Sequence, residues 1–268
     1  MKIIDTHSHI FPPKIERVAT DAIREFYDRE VMAHDGSVEE LLTNGKAAGV
    51  DKFVIFSTAT TPQQVQKIND FILEECEKHP EFIGAGTMHR DFENPEAEVV
   101  RIFESGMRGI KLHPDFQKFN LDDRLLFPTF DALQQRDMYI VTHSGDYRYD
   151  FSHPERIANV ARNFPKLHII AAHMGGWSMW DIGRELLAPL ENVFVDSSST
   201  YGFAGTDPIV RGISAFGYER VFFGCDFPMW RQDTELEMLR SLGLSEKELE
   251  SILGGNFINF YSRYDIAI

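Results

Sequence analysis

A chain of 268 residues, 43% of them hydrophobic, can fill the core of one large domain or two small ones. Its 27 basic and 42 acidic residues leave a formal charge of −15, which argues against nucleic acid and anionic membrane as partners. Two cysteines, Cys76 and Cys225, make no disulfide framework. With no signal-peptide pattern and no apolar run near the ~20 residues of a membrane span, a cytoplasmic protein is expected.

Ile3-Ile4-Asp5-Thr6-His7-Ser8-His9 opens the chain as a strand, and side chains two apart on a strand share a face, so His7 and His9 aim at one point. Phe11-Pro12-Pro13 is a loop, and Lys14 to Glu30 has helical spacing, with Ile15, Val18, Ala22, Phe26 and Tyr27 near one face. This reads as an extra helix inserted after the first strand. Ser37 to Glu40 reads as a capping box opening the next helix, which Gly49 closes.

Strands then alternate with helices. Strands are expected at 52–56, 82–86, 107–112, 138–141, 167–171, 192–195 and 220–223. Helices are expected to begin at Thr61-Pro62, Asn94-Pro95, Asp123, a second capping box from Ser152 to Glu155, Trp177, Thr206-Asp207-Pro208, and a third box from Ser245 to Glu248, with a short closing helix from Asn256 to Tyr261. Eight strands, each followed by a helix, predict a (β/α)8 TIM barrel forming one domain over residues 1–268. The rival, a doubly wound sheet, usually has a glycine-rich turn after its first strand, where His7-Ser8-His9 stands instead.

A barrel carries its active site at the carboxyl ends of its strands. Those ends hold His7 and His9, Ser57 and Thr58, His89, Lys111 and His113, His143, His173, Asp196 with Ser197 to Ser199, and Asp226. Imidazoles with a carboxylate at one rim are the donor set of a first-row transition metal. Arg148, after the fifth strand, is either a bidentate clamp for a substrate carboxylate or half of a surface ion pair. Trp177 either walls the substrate pocket or packs in the core. His89 and His113 are candidate hydrogen-bond donors around substrate or metal, and Asp5 is expected to orient backbone or a ligand histidine.

The segments Asp5-Thr6-His7-Ser8-His9, Lys111-Leu112-His113-Pro114, Thr142-His143-Ser144-Gly145, Ala172-His173-Met174-Gly175-Gly176 and Gly224-Cys225-Asp226-Phe227-Pro228, in that order, resemble the amidohydrolase superfamily. The similarity is to its branch of TIM-barrel hydrolases that also holds aminocarboxymuconate-semialdehyde decarboxylase, and Gly255-Asn256-Phe257 resembles that branch's Gly-Asn-Ala turn. The resemblance implies that His7, His9, His143 and Asp226 bind one divalent metal, most often zinc, with manganese or another transition metal as substitute. It implies that His173 stands over the substrate or ligates a second metal. Lys111-Leu112-His113-Pro114 is closer to the Lys-Leu-Tyr-Pro of dihydroorotases, where a carboxylated lysine bridges two metals, so Lys111 is a further candidate ligand.

The expected activity is metal-dependent hydrolysis of a lactone, amide or ester bond in a small, carboxylated substrate, with Asp226 as general acid–base and His173 holding the oxyanion. Two alternatives stand beside it: non-oxidative decarboxylation of a conjugated or aromatic acid at the same metal, and an inactive metal-binding barrel. The partner expected is a small molecule, with a homodimer as the assembly considered.

Overall fold

The structure, a computed structural model, describes residues 2–266 and 268. Eight parallel strands run in sequential order: β1 (Ile4–His9), β2 (Lys52–Phe56), β3 (Phe82–Thr87), β4 (Gly109–Leu112), β5 (Tyr139–Thr142), β6 (His168–Ala171), β7 (Val193–Asp196) and β8 (Val221–Phe222). The last strand returns to the first. Thr6 N–H donates to the Phe223 carbonyl at 2.9 Å, Asp226 N–H to His7 at 2.8 Å and His9 N–H to Phe227 at 2.8 Å, so the sheet curls into a (β/α)8 barrel.

Alternation along the strands sorts the apolar residues into two cores. Ile4, Val54, Phe56, Ile83, Tyr139, Val141, Ile170 and Phe222 point inward and fill the barrel. Phe257, Phe260 and Tyr261, from the closing helix Asn256–Tyr261, join this inner core. Asn256 fastens that helix to the start of β8 by donating to the carbonyls of Tyr218 (2.7 Å) and Val221 (2.9 Å). The outward residues, such as Ile3, Phe53, Ile55, Ile110, Ile140 and Ile169, pack beneath the surrounding helices. The inner core occupies one part of the barrel; the polar strand ends, Lys111 among them, form the mouth.

Helix boundaries followed their caps where these were real. Ser245 and Glu248 form the reciprocal box, and Gly49 ends Val38–Ala48 with φ at +88°. Ser37 accepts from Glu40 N–H, but the Glu40 carboxylate turns to Asp35 N–H instead of completing a box. The expected box at Ser152 is absent: the cap of Pro154–Asn163 is the His153 ring, which accepts from Glu155 N–H at 3.1 Å, while Ser152 donates to buried Asp115. The helix Gln232–Ser241 escaped the sequence reading because Arg231 precedes it and makes no side-chain cap. The inserted helix is real and shorter than expected, Glu16–Phe26. Among the described residues, no helix is long and apolar enough to cross a membrane.

Helix Gln232–Ser241 buries Glu235 beside the loop that follows β8. Burial, reinforced by the Asp5 and Asp226 carboxylates, raises its pKa from 4.5 to about 8. Between these values the unfolded chain has lost the proton and the native chain keeps it. Stability therefore falls as pH rises through that window and levels off above it. Glu235→Gln should remove this slope, gaining up to about 1.4 kcal/mol per pH unit over the parent chain. Chemical denaturation from pH 5 to 8 checks it, and parallel stability curves for the two proteins would refute it.

Candidate metal centre

β1 does not run straight to its histidines. Asp5 pairs with Phe53 and Ser8 with Ile55, so β1 carries one extra residue between these pairs. Such a bulge re-aims the side chains beyond it. His7 lies within this irregular stretch and His9 just beyond it, and their ring centres are 5.4 Å apart. Asp5 braces this turn: its carboxylate accepts from His7 N–H, Cys225 N–H and the Ser8 hydroxyl. Gly224 is needed opposite, because a Cβ there would lie 3.0 Å from His7 Cβ and 3.2 Å from Ser198 Cβ.

His7, His173 and Asp226 each present one ligand atom within 4.8 Å of the other two. The rings are fixed from behind. His7 Nδ1 donates to Asp196 Oδ2 at 2.9 Å, leaving Nε2 with the lone pair, which Lys111 Nζ meets at 2.9 Å. His173 Nδ1 lies 3.0 Å from the Ser198 carbonyl, and its backbone N–H donates to Asp196 Oδ1 at 3.0 Å. A carboxylate or carbonyl behind each imidazole is the usual support of a metal-binding histidine. Asp226 turns in with left-handed backbone (φ +68°), and Ser199 Oγ donates to its Oδ2 at 2.5 Å. Its Oδ1 lies 3.4 Å from His7 Nε2 and 3.6 Å from His9 Nε2. Burial holds His7, His9 and His143 well below the ordinary histidine pKa, and His173 at about 4. The rings are therefore neutral, as metal ligation requires. By donor set and orientation these residues fit a divalent cation.

The other expected site residues divide. His9 borders the triad through Asp226. His143 stands one step back, with Nδ1 3.0 Å from His173 Nε2 and Nε2 3.7 Å from Asp115 Oδ2. Burial raises Asp115 to about 7. His113 stacks on His143 with ring centres 4.1 Å apart. Lys111 is fully buried, with Nζ 2.9 Å from His7 Nε2 and 4.7 Å from the Phe56 ring centre; burial lowers it to about 8.

Three expectations meet side chains already engaged. The guanidinium of Arg148 forms the bidentate pair with Asp146 (2.9 and 2.7 Å) and donates to the Phe26 carbonyl at 2.6 Å. Its fork is taken, so it latches the inserted helix and does not face the cavity as a clamp. Trp177 packs behind Tyr27 and Phe203, off the cavity wall. His89 accepts from Asp91 N–H and lies edge-on to Phe119, also off the wall.

Asp196 and Tyr27 carry contacts that the sequence reading left without a role. Asp196 was one more polar strand end. Tyr27, at the end of the inserted helix, brings its phenol 3.0 Å from His113 Nε2 and 3.4 Å from His143 Nδ1. Burial raises that phenol well above its ordinary pKa, so it stays protonated. A cavity of about 590 Å³ opens from His7, His9, His173 and Asp226 outward between the inserted helix and helix Val65–Lys78.

The amidohydrolase family profile matches residues 4–263. The chain belongs to the amidohydrolase family. A curated relative, 2-amino-3-carboxymuconate-6-semialdehyde decarboxylase of Dictyostelium discoideum, is 23% identical over 252 residues, covering 77% of this chain and 70% of that protein. Among solved structures, 5-carboxyvanillate decarboxylase of Sphingomonas paucimobilis superposes with a TM-score of 0.73 at 16% identity, over 97% of this chain and 98% of that one. The 2,6-dihydroxybenzoate decarboxylase of Rhizobium gives 0.74 at 16% identity, over 99% and 100%. The 5-carboxyvanillate decarboxylase of Novosphingobium aromaticivorans, solved with manganese and 4-hydroxy-3-methoxy-5-nitrobenzoic acid, gives 0.75 at 18% identity, over 97% and 96%. At these identities the superpositions establish a shared (β/α)8 fold.

Proposed function

We propose that this chain is a metal-dependent, non-oxidative decarboxylase of an aromatic or conjugated carboxylic acid. The observation that carries the reading is a family match over residues 4–263 joined to one converging His–His–Asp cluster among the described residues. The named relatives, decarboxylases in each case, direct it away from the hydrolysis that the sequence first suggested. The reading takes Lys111 as a free amine beside a single cation, with Nζ 2.9 Å from His7 Nε2.

His7, His173 and Asp226 would hold the cation, with His9 and His143 alongside; manganese and zinc are the candidates. Bound there, it would supply Lewis-acid polarisation of the substrate's oxygens. The protein's own groups do the rest. Asp196 and the Ser198 carbonyl hold the two rings at Nδ1, which leaves each Nε2 as the nitrogen that would ligate. Asp226 delivers a proton to the carbon that bears the carboxylate. The carbon–carbon bond then breaks, its electron pair stays with the ring or diene, and carbon dioxide leaves. One proton is consumed per carbon dioxide released, and solvent restores it to Asp226. The walls of Phe11, Phe116 and Met229 favour this direction, because an apolar surround disfavours a carboxylate far more than neutral carbon dioxide.

The test is metal-loaded protein against a panel of hydroxybenzoates, conjugated diacids, lactones and esters, with bicarbonate present or absent. The expected result is carbon dioxide release from an acid, abolished by chelator, at one metal equivalent per chain and insensitive to bicarbonate. Ester or lactone cleavage at two equivalents, the second requiring bicarbonate and lost in Lys111→Ala, would overturn the reading.

A further inference from the structure

The inserted helix Glu16–Phe26 and the residue just before it carry an apolar stripe that the metal centre does not use. Ile15, Val18, Ala19, Ala22 and Ile23 fall at i, i+3, i+4, i+7 and i+8, the spacing of a face that normally packs on a core. Here it does not. None of the five belongs to either core, and Val18 is 70% and Ile15 49% exposed. All five line the cavity that begins at the histidines and Asp226, and across it stand Ile68 and Phe71 of helix Val65–Lys78.

The helix is not loose. Arg148 holds the Phe26 carbonyl, Phe26 stacks on Phe116 at 4.3 Å, and Thr20 donates to the Asp35 carbonyl at 2.7 Å. An amphipathic helix thus keeps its apolar face toward a channel that runs into the reacting end of the site. At about 590 Å³ the cavity falls in the range that encloses a drug-sized ligand, well beyond a single-ring acid.

From this we infer that the substrate carries, beyond its acid-bearing ring or diene, an extended apolar substituent such as an alkyl chain. That substituent lies between the two helices against Ala19, Ala22 and Ile23. The inference rests on the proposed reaction for the position of the acid group, and on the channel alone for the chain.

The experiment is calorimetric titration of the metal-loaded protein with benzoate, 4-methylbenzoate and 4-pentylbenzoate. Full burial strengthens binding about fourfold per methylene. In a channel open at one end, 4-pentylbenzoate should bind at least about tenfold more tightly than 4-methylbenzoate. Ala19→Phe with Ala22→Phe narrows the channel and should bring that ratio below about twofold. Should the bulky variant not fold, Ile15→Ser with Val18→Ser, at exposed positions, should lower the same ratio. Equal affinity for the methyl and pentyl acids in the parent protein would overturn the inference, as would a chain-length gain that survives in a folded channel variant. Titration reads binding alone, so a failure of carbon dioxide release would refute the reaction and leave this result standing.

Discussion

Protein carrying His7→Ala together with His173→Ala should emerge from dialysis with less than about a tenth of the parent's metal, because only Asp226 of the converging triad remains. Asp196→Ala is the more telling companion. Asp196 does not join that triad; it holds the His7 ring at Nδ1 and accepts from the backbone N–H of His173, so it fixes one ring and the backbone that carries the other. Loss of such a support typically weakens metal binding by 10–100-fold. A chelator competition series should therefore rank parent, Asp196→Ala and the double variant in that order. Metal content unchanged in a folded double variant would remove the centre from this rim altogether. Full affinity in Asp196→Ala would show that the buried carboxylate serves packing only.

The barrel was legible because its signals are local. Each strand is a short apolar run, all but the second ending in a histidine, lysine or aspartate, and most of the helices open on a capping residue or a proline. The rim itself was legible for the same reason. What could not be read was which rim residues meet. His7 and His173 converge from strands far apart in the chain, whereas His143 falls one ring behind them against Asp115. Lys111 lies 104 residues from His7, and only the tertiary structure brings its amine within 2.9 Å of that imidazole. Arg148 carried an even choice between clamp and ion pair, and in the structure its neighbour Asp146 occupies the fork. The bulge in β1 has no sequence mark at all.

The insertion after β1 links these observations. One helix supplies a phenol to the His113–His143 stack, a carbonyl that engages Arg148, and an apolar wall to the cavity. The barrel alone would present imidazoles and a carboxylate to open solvent. With the insertion folded over it, the same rim becomes the end of a largely apolar channel. In the proposed reaction such walls would favour the loss of a carboxylate as neutral carbon dioxide.

Asp226→Asn should leave the fold intact and lower kcat by about 10²–10⁴-fold, the usual contribution of a positioned general acid. The substitution is chosen for its backbone as much as for its chemistry. Asp226 has φ at +68°, a left-handed conformation that asparagine adopts readily and alanine does not, so the turn after β8 should survive. Asparagine also keeps an oxygen that can face His7 and His9, so metal content should fall much less than turnover. It cannot carry the proton that decarboxylation must place on carbon. Because the acid acts in the transition state, kcat and kcat/KM should fall together with KM little changed. Ser199→Ala separates the two duties of this carboxylate. Ser199 Oγ donates to Asp226 Oδ2 at 2.5 Å, so its removal should disturb the acid's position while leaving Oδ1 toward the histidines. A smaller loss in Ser199→Ala at full metal content would place the chemistry on the Oδ2 side. Turnover within about threefold of the parent in folded, metal-loaded Asp226→Asn, where a general acid should count for at least about a hundredfold, would take Asp226 out of the proton transfer.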